Sequence, residues 1–299
     1  MIQSALPIVM PPISAVVGAI IGRLHLRGNV SKTEIERLRA TRFATIADTL
    51  LEEGHITHLE YHKLDNFLKI AKKADEVYKN KYQDQKHTNK GMDFDWFVRF
   101  FEDSGNISNE EMQELWAKIL AGEIAKPGSF SRRTLDVLRN LSQADAQLFR
   151  SLSKYFFFAG GGIVLYRNSA LHNEYGIKYS QIKHLTDCGL FSAHLPFAIF
   201  DHERQAAFHT EDIVCVANIE AKSDGVIEYP VHPLTSAGVE LLRVDKLEAD
   251  VDFLFSIVNA LPTDTGEKQV SFSLRKIEKI SGDTVYWGEQ PLRKEEIIS

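Results

Sequence analysis

Three groupings of residues have the types that chemistry requires. Glu123, Arg132 and Arg133 flank the Pro127-Gly128 turn. A carboxylate and two guanidiniums meeting over a tight turn would make a small anion-binding or acid–base cluster. The same three residues also make an ion pair that fixes the turn, costly to break because removing one partner strands the other charge. That structural reading is the one adopted here. His55, His58 and His62 stand three and four apart, a spacing that puts imidazoles near one helical face, and imidazole is a common zinc ligand. His55 precedes the expected helix, however, and no HExxH pattern supplies a general base, so solvated or capping histidines are expected. His184 and Cys188, four apart on an expected helix, could share a metal, but no second cysteine pair completes a site. The glycines at 160–162 are followed by Ile163-Val164 where a phosphate loop needs Lys and Ser or Thr. No Ser-His-Asp order, paired-carboxylate motif, dinucleotide fingerprint or kinase set stands out. The expectation is therefore a non-enzyme with no catalytic residue, cofactor or metal. A hydrolase or nuclease built on Glu123 and histidines is a weaker alternative.

The elements that must hold these groups centre on the stretch from Asp93 to Leu152. Phe94, Trp96, Phe97, Phe100 and Phe101 crowd a helix that ends near Ser104-Gly105. Ser108 with Glu111 reads as a capping box, in which a hydroxyl and a carboxylate each satisfy an orphan amide. Met112, Leu115, Trp116, Ile119 and Leu120 follow at helical spacing, and Gly122 reads as the stop. After the turn, Ser131 can cap a short helix with Leu135, Leu138 and Leu141 on one face, and Ser142 with Asp145 opens another. Aromatics at this spacing mean a packed helical core.

One resemblance arises here. The run LWAKILAGEIAKPGSFSRRTLDVLRNLSQADAQLF resembles the signature of an uncharacterised bacterial family, itself similar in this region to the abortive-infection alpha proteins. The likeness covers Trp96 to Leu152, about a fifth of the chain. Its motif residues are Trp116, Gly122, Glu123, Pro127, Gly128, Ser129, Ser131, Arg132, Thr134 and Leu135. It implies a bacterial protein and, more loosely, a part in defence against phage. No catalytic residue comes with it.

Composition sets the remaining bounds. At 299 residues, 44% hydrophobic and 25% charged, the chain is ordinary globular material, long enough for two domains. A net charge of -6 argues against bulk nucleic-acid binding. Two cysteines, Cys188 and Cys215, make no disulfide framework and suit a reducing cytoplasm. The first 22 residues carry no charge; Pro7, Pro11 and Pro12 break their first half, and Ser14, Gly18 and Gly22 give a small-residue face suited to close packing. Arg23, Arg27 and Lys32 follow, which would keep the rest of the chain cytoplasmic if the segment entered a bilayer. This segment is read as a contact with a membrane or with a homo-oligomer core. The sequence then predicts a helical hairpin, its second arm capped by Thr57 and Glu60, and a polar linker over 81–91.

Beyond residue 155 the sequence predicts a helix over 179–187, strands over 197–200, 206–219, 269–277 and 283–287, and helices after Leu234 and from Leu247. That order resembles a winged-helix module whose first helix runs from Ser142 to Phe157. It would place Ser180, Gln181, Lys183 and His184 in a DNA major groove. Asp187, Asp201, Glu203, Glu211 and Asp212 oppose phosphate contact. The chain is therefore expected to be α+β, with a helical N-terminal half and a mixed, winged-helix-like C-terminal half. Its expected parts are 1–28, 29–90, 91–155 and 156–299. The expected function is a non-enzymatic defence component, cytoplasmic with a peripheral membrane contact, acting through a protein partner encoded nearby. The second reading is a winged-helix DNA-binding regulator.

Overall fold

The structure, a computed structural model, describes residues 46–54, 56–82, 92–159, 162–192, 197–199, 205–221, 227–245, 248–261, 268–281 and 284–292. The apolar N-terminus with Ser14, Gly18 and Gly22, His55 and most of the polar linker lie outside them. Among the described residues no helix is long and apolar enough to cross a membrane. The protein is mixed α and β, with helices in its N-terminal part and an antiparallel sheet in its C-terminal part. Two compact units divide it, Met1–Arg139 and Asn140–Ser299.

The first unit is helical: α1 (Ile46–Glu52), α2 (His58–Lys81), α3 (Phe94–Ser104), α4 (Glu110–Ala125) and α5 (Arg132–Leu138). Gly54, at φ +70°, closes α1, and Thr57 with Glu60 forms the expected capping box on α2. Asp93 caps α3, and Ser131 caps α5 as expected. Helix α4 begins one residue later than the Ser108 box implies. Asn109 is its cap, accepting the Met112 amide, because an amide oxygen serves that position as well as a hydroxyl. Nor does α4 stop at Gly122. It runs on to Ala125, and Gly122 lies within it because a Cβ there would sit 2.8 Å from the Phe130 ring. The core packs α2 against α4. Trp96 stacks on Phe100 at 5.2 Å, Phe100 meets Trp116 edge-on at 5.1 Å, and Phe67 meets Phe101 edge-on at 5.0 Å. Such pairs add about 0.5–1.5 kcal/mol each beyond area burial.

The second unit opens with α6 (Gln143–Leu152), capped by the expected Ser142–Asp145 box. The helix read as reaching Phe157 ends at Leu152, because Phe156 and its neighbours are taken into a strand. β1 (Phe156–Ala159) and β2 (Gly162–Tyr166) pair antiparallel, Phe156 opposite Leu165. Thus the glycine-cut run makes two strands; its aromatic and β-branched residues suit a pleated, buried surface. Next come α7 (Ser169–Glu174) and α8 (Tyr179–Asp187), then β3 (Phe197–Ile199), β4 (Gln205–His209), β5 (Ile213–Ala221), β6 (Ile227–Tyr229) and β7 (Val231–Pro233). The run expected as one strand over 206–219 is split at Thr210, whose amide and hydroxyl both donate to the Ile213 carbonyl. Helices α9 (Ser236–Leu242) and α10 (Val251–Ala260) and strands β8 (Lys268–Ser281) and β9 (Thr284–Trp287) complete the unit. The main sheet is antiparallel with order β7-β2-β1-β4-β5-β8-β9, and β3 pairs with β6 apart from it. Val214, Cys215, Val216 and Ala217 on β5, an interior strand, are all buried, so that strand is covered on both faces.

Candidate functional site

In the first unit, Pro127 fixes φ and Gly128 supplies φ +89°, the two requirements of a type II turn closed by Ser129 N–H to the Lys126 carbonyl at 3.1 Å. Glu123, only 1% exposed, organises this turn from inside. Its Oε1 accepts the Gly128 amide at 2.6 Å and its Oε2 the Phe130 amide at 3.0 Å. The expected ion pair across the turn is corrected accordingly: the structure gives Glu123 backbone partners, and gives Arg132 the carboxylates of Asp93 at 3.0 Å and Asp95 at 3.4 Å. The Arg132 guanidinium holds the Asp93 carboxyl below its usual range. Arg133 is exposed, and Trp116 is fully buried. Glu123, Pro127, Gly128, Arg132 and Trp116 thus each have a place in the packing, the turn or an ion pair. His58 and His62 are exposed on the first turns of α2.

In the second unit the pair α7–α8 gathers more chemistry. Asn168 caps α7 by accepting the Ala170 and Leu171 amides, and Gly176, at φ +69°, reverses the chain into α8. At its far end α8 stops at Cys188 and Gly189, the latter at φ +82°, with Leu190 N–H returning to the Leu185 carbonyl. This helix presents Ser180, Lys183 and His184 to solvent and half-buries Gln181, whose Oε1 accepts the Lys178 amide. Tyr179, at its first turn, is 73% exposed. Two of these side chains are tied to carboxylates. Lys183 pairs with Asp187 at 3.1 Å, and His184 Nε2 meets Asp145 Oδ1 at 2.6 Å.

Asp145 is the residue that sequence reading missed for this site. It was read only as a cap, and 39 positions separate it from His184. Its Oδ2 accepts the Ser142 amide at 2.8 Å and the Ser142 hydroxyl at 2.7 Å, while Oδ1 points to the imidazole. The His184 hydrogen bond, with those from Ser142, pulls the Asp145 carboxyl below its usual range. Cys188 Sγ lies 3.8 Å from the same Nε2. The three donor atoms lie within 4.8 Å of one another. A nucleophilic triad needs its base to face the thiol through one ring nitrogen and the orienting acid through the other. Here thiol and carboxylate share Nε2, and that nitrogen donates to the carboxylate. Burial, then Asp145 and Asp187, pushes the Cys188 thiol up, opposite to an activated cysteine.

Beside α8 a cavity of about 430 Å³ is lined by Arg167, His172, Tyr179, Lys183, Ser192 and His232 among others, with no carboxylate among the described residues of its walls. His172 Nε2 donates to the Tyr166 carbonyl at 2.7 Å, and its ring lies 6.0 Å from that of His232. Burial, with His172 and Arg167 nearby, lowers His232 to about 4. Both imidazoles are therefore neutral at pH 7.

No curated protein and no solved structure matches the chain. One family does, the one described as "Protein of unknown function (DUF2806)", over residues 55–257. That span takes in the Glu123 turn as well as α7, α8 and the cavity beside them, more than the stretch from Trp96 to Leu152, so the chain belongs to this family.

Proposed function

We propose that the protein is a non-enzymatic component of bacterial anti-phage defence that works by binding other protein chains through the α7–α8 face. The observation carrying this reading is the character of that face. Its largest exposed side chain is Tyr179, it borders a cavity with no carboxylate among its described lining residues, and Lys183 and His184 are already engaged by Asp187 and Asp145. A tyrosine beside a pocket is the kind of anchor that protein interfaces favour. Residues 140–299 carry fifteen Lys and Arg against twenty-two Asp and Glu, a net charge of -7, which opposes phosphate binding. The defence assignment is supported by the resemblance carried by the Trp96–Leu152 signature. A nearby-encoded partner, a homo-oligomer and a membrane contact through residues 1–22 complete the proposal, with the body of the protein in the cytoplasm. The test is phage plating on a strain carrying the gene with its neighbours: reduced plating that requires the intact gene supports the reading, and unchanged plating across a phage panel refutes it.

A second reading, a winged-helix DNA-binding regulator, is favoured by element order. Its support is partial: α7 and α8 are followed by the β3–β6 pair and by β7, which pairs with β2, while β1 stands between α6 and β2 and β4 and β5 stand between β3 and β6. On this reading Ser180, Gln181, Lys183 and His184 face the groove. Gel shifts at two salt concentrations decide it, since phosphate contacts make affinity fall steeply with salt. An absence of salt-dependent binding removes this reading.

A further inference from the structure

We propose that Asp145, His184 and Cys188 bind a single zinc-class divalent cation that fastens the start of α6 to the end of α8. This proposal is independent of which partner the α7–α8 face recognises.

The donor set is the first argument. Imidazole nitrogen, thiolate sulfur and carboxylate oxygen are the three ligand types of protein zinc sites, and a thiolate with an imidazole disfavours magnesium or calcium. One thiolate and one carboxylate also balance a divalent charge. Geometry is the second. Tetrahedral zinc, at about 2.0–2.1 Å from nitrogen and oxygen and about 2.3 Å from sulfur, sets nitrogen and sulfur about 3.6 Å apart and nitrogen and oxygen about 3.4 Å apart. Sγ and Nε2 already stand 3.8 Å apart. Nε2 and Oδ1, at 2.6 Å, must part by less than an ångström, and the His184 side chain is 53% exposed and free to do so.

The surroundings are the third argument. The Asp145 oxygen turned away from the cluster is held by the Ser142 amide and hydroxyl, so the carboxylate is oriented by an outer hydrogen-bonding shell as metal-bound carboxylates are. Its inward oxygen is the one that faces His184. His184 and Cys188 are held by the same helix, the Cys188 amide donating to the His184 carbonyl at 2.9 Å. Three protein ligands leave a fourth position open to water or to a partner's side chain.

The full chain, stripped with chelator and dialysed, is titrated with zinc against a chromophoric chelator, and separately with cobalt(II) as a spectroscopic probe. The expected result is one equivalent bound, a thiolate-to-cobalt charge-transfer band, and a raised melting temperature. His184→Ala and Cys188→Ser each weaken binding by more than about 100-fold, since loss of outer-shell partners alone costs about 10–100-fold. His58→Ala with His62→Ala leaves binding unchanged. Cys215, 1% exposed in β5, cannot supply the sulfur in the folded chain, so the wild-type cobalt band reports on Cys188 whatever the stability of the variants. Absence of the band, affinity untouched by both substitutions, or loss of binding in the His58/His62 variant would each overturn the proposal.

Discussion

Glu123 accepts the Gly128 and Phe130 amides with its two carboxyl oxygens while buried in the first unit, so its role there is structural. Glu123→Gln turns an NH2 toward one of those amides and leaves a buried donor unmet, which costs about 1–3 kcal/mol. Chemical denaturation should show that loss. A variant of unchanged stability that has lost its biological effect would make Glu123 a functional residue instead. Gly128→Ala should cost about 1–2 kcal/mol by the same measurement, because φ +89° is strained for any residue with a Cβ. His232 gives a pH dependence. Its folded-state pKa, about 4, lies below the ordinary value of 6.5, so the unfolded chain binds more protons between those limits. Stability of the second unit is therefore full above pH 6.5 and declines as pH falls toward 4, with His172 lowered in the same direction by burial. His232→Gln should flatten the melting temperature across that window; an equally steep profile in the variant would remove His232 as the cause. At this scale the sequence was legible where the signal was local. Pro127-Gly128 announces its own turn, but the partners of Glu123 and Arg132 depend on where Phe130 and Asp93 fall in the packed unit. Asp145 beside His184 is tertiary in the same way.

Among the elements, the caps at Thr57, Ser131 and Ser142 could be read directly, because an N-cap bond closes within three residues. Helix α8 was equally plain, its apolar residues Ile182 and Leu185 buried and its end marked by Cys188-Gly189. Strand β1 was not, since a run of aromatics beside glycines fits a helix end as well as a hairpin until pairing partners are known. The same physics misplaced the end of α4. Gly122 looks like a helix stop in sequence, yet its missing Cβ makes room for Phe130. Gly122→Ala should therefore destabilise the first unit despite the better helix propensity of alanine, by about 1–3 kcal/mol for overpacking. A rise in the denaturation midpoint would show that α4 gains more from propensity than the Phe130 contact loses.

At the scale of the whole molecule, the proposal is a chain that acts by contact and carries its contact face in the second unit. The exposed Tyr179 and the cavity beside α8, with no carboxylate among its described lining residues, are properties of the assembled sheet and helices that no short motif encodes. The measurement that tests this most directly is plating efficiency of a phage panel on cells expressing the wild-type gene with its neighbours, beside cells expressing Tyr179→Ala. Tyr179 is largely solvent-exposed, so the variant should fold and accumulate normally. The account predicts that wild type lowers plating by at least tenfold for some phage and that Tyr179→Ala restores it. Protection that survives Tyr179→Ala intact, or no protection from the wild-type gene, would contradict it.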